Sequence, residues 1–222
     1  MKTKAITVTQ KKILKILFLL LVISELCSAT IIDRDFYSDA NIVEGDWYGL
    51  VRIYDTPPYH TTVNMTGGSL SIAKLYDSST LNIFGGYLME AESYNTSILN
   101  FFGGNISSGL GAWENSTMNI WGGIIGAIGT SNSSTVNLRG GQITNWVGGH
   151  IGTTINVFGK ELSKINEGGL YGDGQVTGLW QDNTPFTINL IGTDTYSVVN
   201  LIPEPATIFL LSFGIFFTRK RK

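Results

Sequence analysis

One position of this 222-residue chain carries aromatic rings at regular intervals and could bind a ligand through them. The position lies two residues after a repeated asparagine, and six copies align. Its occupants in chain order are Thr66, Phe84, Phe102, Trp121, Arg139 and Phe158. If its apolar neighbours face inward, strand alternation places this position outward, as an aromatic stripe that can stack on sugars or on a partner. The alternative is that the rings pack over the core or stack only on each other.

Arg139 is the charged member of this candidate stripe. Its neighbours in the preceding and following copies are Trp121 and Phe158. A guanidinium stacks on aromatic faces and carries five hydrogen-bond donors. We therefore expect Arg139 to continue the stripe and to offer donors to an anionic sugar or partner.

Side chains for acid–base, nucleophilic or metal chemistry are few. His60 and His150 lie at non-equivalent positions of the repeat, and no nucleophile-elbow motif accompanies them. Four carboxylates stand at 13, 8, 10 and 14 residues after the nearest preceding repeated asparagine: Asp77, Glu90, Glu92 and Glu114. Glycoside cleavage needs two carboxylates at a fixed separation. We therefore expect no catalytic residues, no cofactor and no metal site, and a β-helix lyase or hydrolase stays open as an alternative.

The repeated asparagines recur with steps of 18, 18, 19, 18 and 19 residues. They are Asn64, Asn82, Asn100, Asn119, Asn137 and Asn156, and five of the six copies end in Gly-Gly. Apolar–Asn–apolar is the alternation of a strand, and Gly-Gly permits a tight corner. Stacked asparagines hydrogen-bond amide to amide, so we expect a structural ladder.

A repeat this short cannot bury its own apolar face, so its copies must stack. We predict an all-β chain built on a single-stranded parallel β-solenoid (β-helix) of about six coils of 18–19 residues, over residues 61–173. A right-handed coil is favoured because apolar residues do not recur every six positions. Residues 30–60 and 174–202 are predicted to cap the two ends, the latter with strands near 185–191 and 197–201.

Composition excludes several classes of protein. Charged residues make up 14 %, there are 27 glycines and one cysteine, and residues 30–202 hold 15 Asp and Glu against 6 Lys and Arg. These numbers exclude a disulfide scaffold, a basic nucleic-acid binder and a charged disordered chain.

The N-terminus has the three parts of a secretory signal peptide. Five lysines lie among residues 2–15, residues 13–23 are mostly apolar, and small residues end at Ala29. We predict a signal helix over 1–29 with cleavage after Ala29, which also removes Cys27. The alternative, an uncleaved anchor, is disfavoured because the apolar run is far shorter than the roughly 20 residues that span a membrane.

The C-terminus, residues 203–222, reads Pro203-Glu204-Pro205, then an apolar run over 206–217, then the basic cluster Arg219, Lys220, Arg221 and Lys222. This tail resembles the PEP-CTERM sorting signal of Gram-negative-type bacteria. The resemblance implies a short transmembrane helix, export across the inner membrane and recognition by an exosortase. That enzyme would remove the tail and pass the protein to the cell surface or extracellular matrix.

From these patterns we expect an exported, non-enzymatic surface or matrix protein associated with exopolysaccharide in a biofilm. Its partners would be the secretion machinery, the exosortase and an exopolysaccharide, with no nucleic acid. A carbohydrate-binding adhesin that uses the aromatic stripe is the first alternative.

Overall fold

The computed structural model describes residues 32–204. The predicted signal peptide with Ala29, the apolar tail, Pro205 and the basic cluster lie outside these residues. Within the described part of the chain, no helix has both the length and the apolar character needed to cross a membrane.

The described chain is all-β and forms a parallel β-solenoid of about seven turns. Each coil contributes one strand to each of two facing sheets. The first, called here the long sheet, contains β1 (Ile32–Phe36), β3 (Trp47–Ile53), β5 (Ser69–Leu75), β7 (Tyr87–Ser93), β9 (Asn105–Ala112), β11 (Ile124–Thr130), β13 (Gln142–Ile143) and β14 (Val147–Gly149). The second, called the short sheet, contains β2 (Ala40–Ile42), β4 (Thr62–Met65), β6 (Thr80–Ile83), β8 (Ile98–Phe101), β10 (Thr117–Ile120), β12 (Thr135–Leu138), β15 (Thr154–Ile165) and β18 (Val199–Pro203).

The core lies between the two sheets and follows directly from strand alternation. In β6, Leu81 and Ile83 face inward with no exposed surface, and Asn82 between them is only partly buried. Each residue pairs with its equivalent one coil away, as Leu81 does with Leu99. Side chains of one repeat position therefore form a continuous column along the solenoid.

Both glycines of a Gly-Gly corner are required, for different reasons. At Gly104 the backbone has φ +106°, where side-chain-bearing residues are strained. A Cβ on its neighbour Gly103 would lie 3.1 Å from the carbonyl oxygen of Phe84 in the preceding coil. The corner thus needs conformational freedom at one glycine and a bare backbone at the other.

The solenoid extends beyond the predicted repeats at both ends. Residues assigned to an N-terminal cap pair in parallel with the repeats, β1 with β3 and β3 with β5. At the other end β18 lies parallel to β15. The expectation of about six coils was therefore too small, because the first and last coils keep the apolar–Asn–apolar strand, at Asn41 and Asn200, without the Gly-Gly corner.

The regular coils end where the repeat loses its second glycine. In the sixth copy Lys160 follows Gly159, and β15 continues to Ile165 with a bulge near Glu161 instead of ending at the corner. Its second half joins an antiparallel sheet with β16 (Gln175–Leu179) and β17 (Pro185–Ile191). A four-residue helix, α1 (Thr195–Val198), leads into β18. Residues 160–173, expected to be solenoid, therefore lie largely in this sheet and in the turn that follows it.

Candidate ligand-binding site

The candidate stripe is a stack of aromatic rings on the outside of the Gly-Gly corner. The ring centroids of Phe84 and Phe102 are 4.8 Å apart, and those of Phe102 and Trp121 are 4.6 Å apart, with nearly parallel planes. Phe84 is 50 % exposed, and Phe102 and Trp121 are each 40 % exposed. Because Phe102 has a ring on either side, solvent reaches mainly its edge. A flat ligand can stack only where the row of rings ends.

The stack ends at Trp121 on its C-terminal side. In the next coil Arg139 is exposed, and its guanidinium carbon lies 3.5 Å from the ring centroid of Phe158. This is a close cation–π contact. Arg139 and Phe158 thus form a second stacked pair in the same column, one coil beyond Trp121.

A cleft of about 1360 Å³, called here the stripe cleft, opens at this end of the stack. Trp121 and Arg139 line one side of it, together with the Gly-Gly corners at 122–123 and 140–141. The β16–β17 hairpin lines the opposite side, from Trp180 to Ile188. The end of the aromatic stack and the arginine therefore face a concave space large enough for several sugar rings.

The hairpin side of the stripe cleft is firmly held. The indole N–H of Trp180 donates to the carbonyl of Gly141 at 3.1 Å, and its ring stacks on Phe186 with centroids 3.8 Å apart. The ammonium group of Lys160 donates to the carbonyl of Gln181 and to the side-chain oxygen of Asn183. The position of this wall relative to the Gly-Gly corners is thus fixed by direct bonds.

The residues that line the stripe cleft carry a small net negative charge. Its ionisable lining residues are Arg139, Asp182 and Glu204. The backbone N–H of Thr184 donates to the carboxylate of Asp182 and holds its pKa below the usual range, so this carboxylate stays ionised. Since a general acid in glycoside cleavage needs a raised pKa, Asp182 does not fit that role.

The asparagine ladder is a continuous row of amide hydrogen bonds. Each asparagine donates from Nδ2 to the Oδ1 of its equivalent in the preceding coil, at 2.8–2.9 Å through the five steps from Asn64 to Asn156. Asn41 and Asn200 add one weaker bond at each end, at 3.5 and 3.2 Å. These side chains satisfy one another, which fits a structural role.

The carboxylates occupy two different settings. Asp77 and Glu114 lie at equivalent corners two coils apart, both with φ +60°, with Asn95 at the corner between them. The expectation that they do not align was therefore wrong for this pair. β9 contains a one-residue bulge, so Glu114 lies 14 residues after its preceding ladder asparagine while Asp77 lies 13 residues after its own. Glu114 accepts two hydrogen bonds from Asn95, and Glu92 pairs with Lys74 at 2.7 Å on the long sheet.

The histidines lie far apart. The Nε2 of His60 is 2.9 Å from Thr80 Oγ1, and its Nδ1 is 3.5 Å from a carboxylate oxygen of Asp55. Burial favours a higher pKa for Asp55, but hydrogen bonds from Ser78 and Thr61 and the nearby His60 lower it overall. Neither His60 nor Asp55 lines a cleft described here, and the contacts fasten the 55–61 loop. His150 lies in the corresponding turn before β15, five coils further on.

Sequence reasoning missed a second aromatic column. Tyr37, Tyr54, Tyr76 and Tyr94 stack along the other corner, with centroids 4.8–5.4 Å apart. Each of these tyrosines directly follows the last residue of a long-sheet strand. The residues around them are not alike, so the sequence could have revealed this column only through that shared position. Burial raises the pKa of Tyr94 to about 12.

Among residues 32–204 no group of three or more acidic, histidine or cysteine side chains is placed to hold a metal ion. Comparisons with protein-family models, with curated proteins and with solved structures gave no match to this chain.

Proposed function

We propose that this chain is an exported, non-enzymatic surface or matrix protein that binds a neutral polysaccharide in the stripe cleft. The observation that carries the proposal is the position of Trp121, which is 40 % exposed, ends the aromatic stack and lines a large cleft opposite the β16–β17 hairpin. The C–H face of a pyranose ring is flat and apolar and fits such an aromatic face. Gln142, Gln181 and Asp182 supply polar groups for hydroxyl groups around it.

Charge favours a neutral ligand over the acidic sugar suggested by Arg139 alone. Residues 32–204 contain 16 Asp and Glu against 6 Lys and Arg. Two carboxylates and one guanidinium line the stripe cleft. An anionic chain would be repelled by this body at low ionic strength. In our proposal Arg139 donates to sugar hydroxyl groups while it stacks on Phe158.

Binding is tested by replacing the ring that ends the stack. The purified full-length protein is incubated with insoluble β-1,4-glucan and with a panel of soluble neutral and acidic polysaccharides. Trp121→Ala is expected to weaken neutral-glycan binding about tenfold or more, because aromatic anchors dominate such interfaces. Tyr59→Ala, which removes an exposed ring from a loop outside the cleft, serves as the control. Equal binding by Trp121→Ala and the unmodified protein would contradict the proposal.

Catalysis is the competing function, and the same samples separate it from binding. Polysaccharides incubated with the protein are assayed for new reducing ends and for the unsaturated products of a lyase. The proposal expects neither.

Surface sorting is supported by the terminal sequences, including the three-part tail. Pro203 ends β18 opposite Gly159, and Glu204 N–H donates to the Gly159 carbonyl at 3.1 Å, so the motif begins where the solenoid ends. The right-handed coil and the two terminal helices remain predictions from the sequence.

Mass spectrometry of the protein recovered from the cell surface or matrix tests the sorting. We expect a chain that begins at Thr30 and lacks the apolar and basic residues of the tail. A surface form that still ends at Lys222 would contradict exosortase processing.

A further inference from the structure

The long sheet carries a second cleft at the corner opposite the stripe cleft. It has a volume of about 360 Å³ and lies between Trp113 and Trp146. Gly129 and Gly148 form its floor, and the 191–194 segment closes one edge. We call it the tryptophan cleft.

The tryptophan cleft exists because the outer face of the long sheet changes composition along the solenoid. One outward column carries Asp35, Arg52, Lys74 and Glu92 in its first coils. In the following three coils the same column is Gly111, Gly129 and Gly148. Long charged side chains therefore cover the sheet in one half of the molecule and leave bare backbone in the other.

The two tryptophans are placed on this bare backbone. A Cβ on Gly111 would lie 2.8 Å from Nε1 of Trp113, so the indole lies directly against that glycine. A Cβ on Gly148 would lie 3.3 Å from the ring of Trp146. Both indoles are half-buried, and they form the side walls of the cleft.

The polar groups of the tryptophan cleft are few. His150 is exposed, and Asp194 belongs to the closing segment. Nε1 of Trp113 is shielded from solvent and has no hydrogen-bond partner within residues 32–204, although a buried indole N–H usually has one. Apolar flat walls with few polar groups suit a ring that is apolar on its faces and polar at its edge, as a pyranose is.

Between the two clefts the outer face of the long sheet stays smooth. Ser107, Ser108 and Gly109 face outward from β9, and Ala127 occupies the position next to Gly109 on β11. The stripe cleft begins at Ile124 and the tryptophan cleft at Gly129, near the two ends of β11. At about 3.3 Å per residue, these two positions on β11 are about 17 Å apart.

We infer that the tryptophan cleft binds a second segment of the same polysaccharide chain, which crosses the long sheet from one cleft to the other. This inference rests on the proposed function for the identity of the ligand. Two linked contacts raise the affinity of a long chain far above that of a short one, because the second contact becomes intramolecular.

Gly129 offers a variant that fills the tryptophan cleft from an unstrained backbone position. A Cβ at this position has no heavy atom closer than 4.0 Å, and the φ angle is not in the left-handed region. Gly129→Ala is therefore accommodated, and Gly129→Val places two more methyl groups in the space between the indoles. Ser69→Val, at an outward position of β5 far from both clefts, is the matched control.

The experiment measures the affinity of the full-length protein for cello-oligosaccharides of two to eight units by calorimetry. The unmodified protein and Ser69→Val are expected to show a rise of tenfold or more once the oligosaccharide is long enough to reach both clefts. In Gly129→Val this rise disappears, while the affinity for the shortest ligands that bind stays within twofold. For Gly129→Ala we expect a rise in affinity smaller than that of the unmodified protein but larger than that of Gly129→Val.

The outcomes separate this inference from the proposed function. If Gly129→Val and the unmodified protein bind every length equally, the second site is refuted while the stripe cleft stands. If Trp121→Ala has no effect but Gly129→Val abolishes binding, the tryptophan cleft is a site and the proposed role of the stripe cleft fails. If the unmodified protein binds no oligosaccharide of the series, both proposals fail for this class of ligand.

Discussion

At the scale of single residues, the corners decide whether the chain can coil. The second glycine of each corner has a positive φ, from +79° at Gly68 to +106° at Gly104. The opposite corners use Asp77, Asn95, Glu114 and Asn132 in the same left-handed region, with φ between +55° and +61°. Asn and Asp tolerate this conformation better than other side-chain-bearing residues. Both types of corner thus require a residue with a positive φ, and most of these positions hold glycine, asparagine or aspartate.

Gly104→Ala tests this requirement. The new methyl group would lie 2.8 Å from the carbonyl oxygen of Gly86 in a left-handed conformation. We expect the free energy of unfolding to fall by about 1–3 kcal/mol, the usual cost of a strained backbone position. Chemical denaturation of the full-length protein measures it.

The matched control is Gly129→Ala, whose methyl group meets no atom within 4 Å besides the ring of Trp146 at that distance. It is expected to leave stability unchanged or slightly raised, because glycine weakens a strand. Equal losses in the two variants would mean that strand entropy, and not the corner, sets the cost.

At the scale of elements, the repeat made most strands predictable. The apolar–Asn–apolar copies gave β4, β6, β8, β10, β12 and the start of β15, and β17 was predicted at its observed bounds. The first and last coils were missed as coils because they lack Gly-Gly, although Asn41 and Asn200 lie between apolar or small neighbours as the other ladder residues do. The pairing within the antiparallel hairpin over 175–191 is local, but its docking on β14 and β15 depends on long-range contacts that no local pattern encodes.

The candidate site was only partly predictable, because one of its walls comes from strands that are distant in sequence. Strand alternation predicted an outward position for Phe84, Phe102 and Trp121 as one of two alternatives, and all three rings are exposed. The stripe cleft was not predicted, because its second wall comes from β16 and β17, which reach the corner through Trp180 and Gly141. The tryptophan cleft depends on Trp146, which lies in a break between β13 and β14.

At the scale of the whole molecule, the solenoid is asymmetric along its axis. Two aromatic columns run along the two edges of the long sheet, and both clefts lie in its C-terminal half. The charged outer face of the first coils gives way to glycine and serine there. A rigid body of this kind holds its two clefts at a fixed separation, which suits a ligand with a regular repeat of its own.

The most direct measurement is a crystal structure of the full-length protein with a bound cello-oligosaccharide. Our proposal predicts a pyranose ring stacked on the face of Trp121 within the stripe cleft, with side-chain donors such as Arg139 and Gln142 at its hydroxyl groups. Sugar density elsewhere on the solenoid, with the stripe cleft empty under saturating ligand, would contradict it.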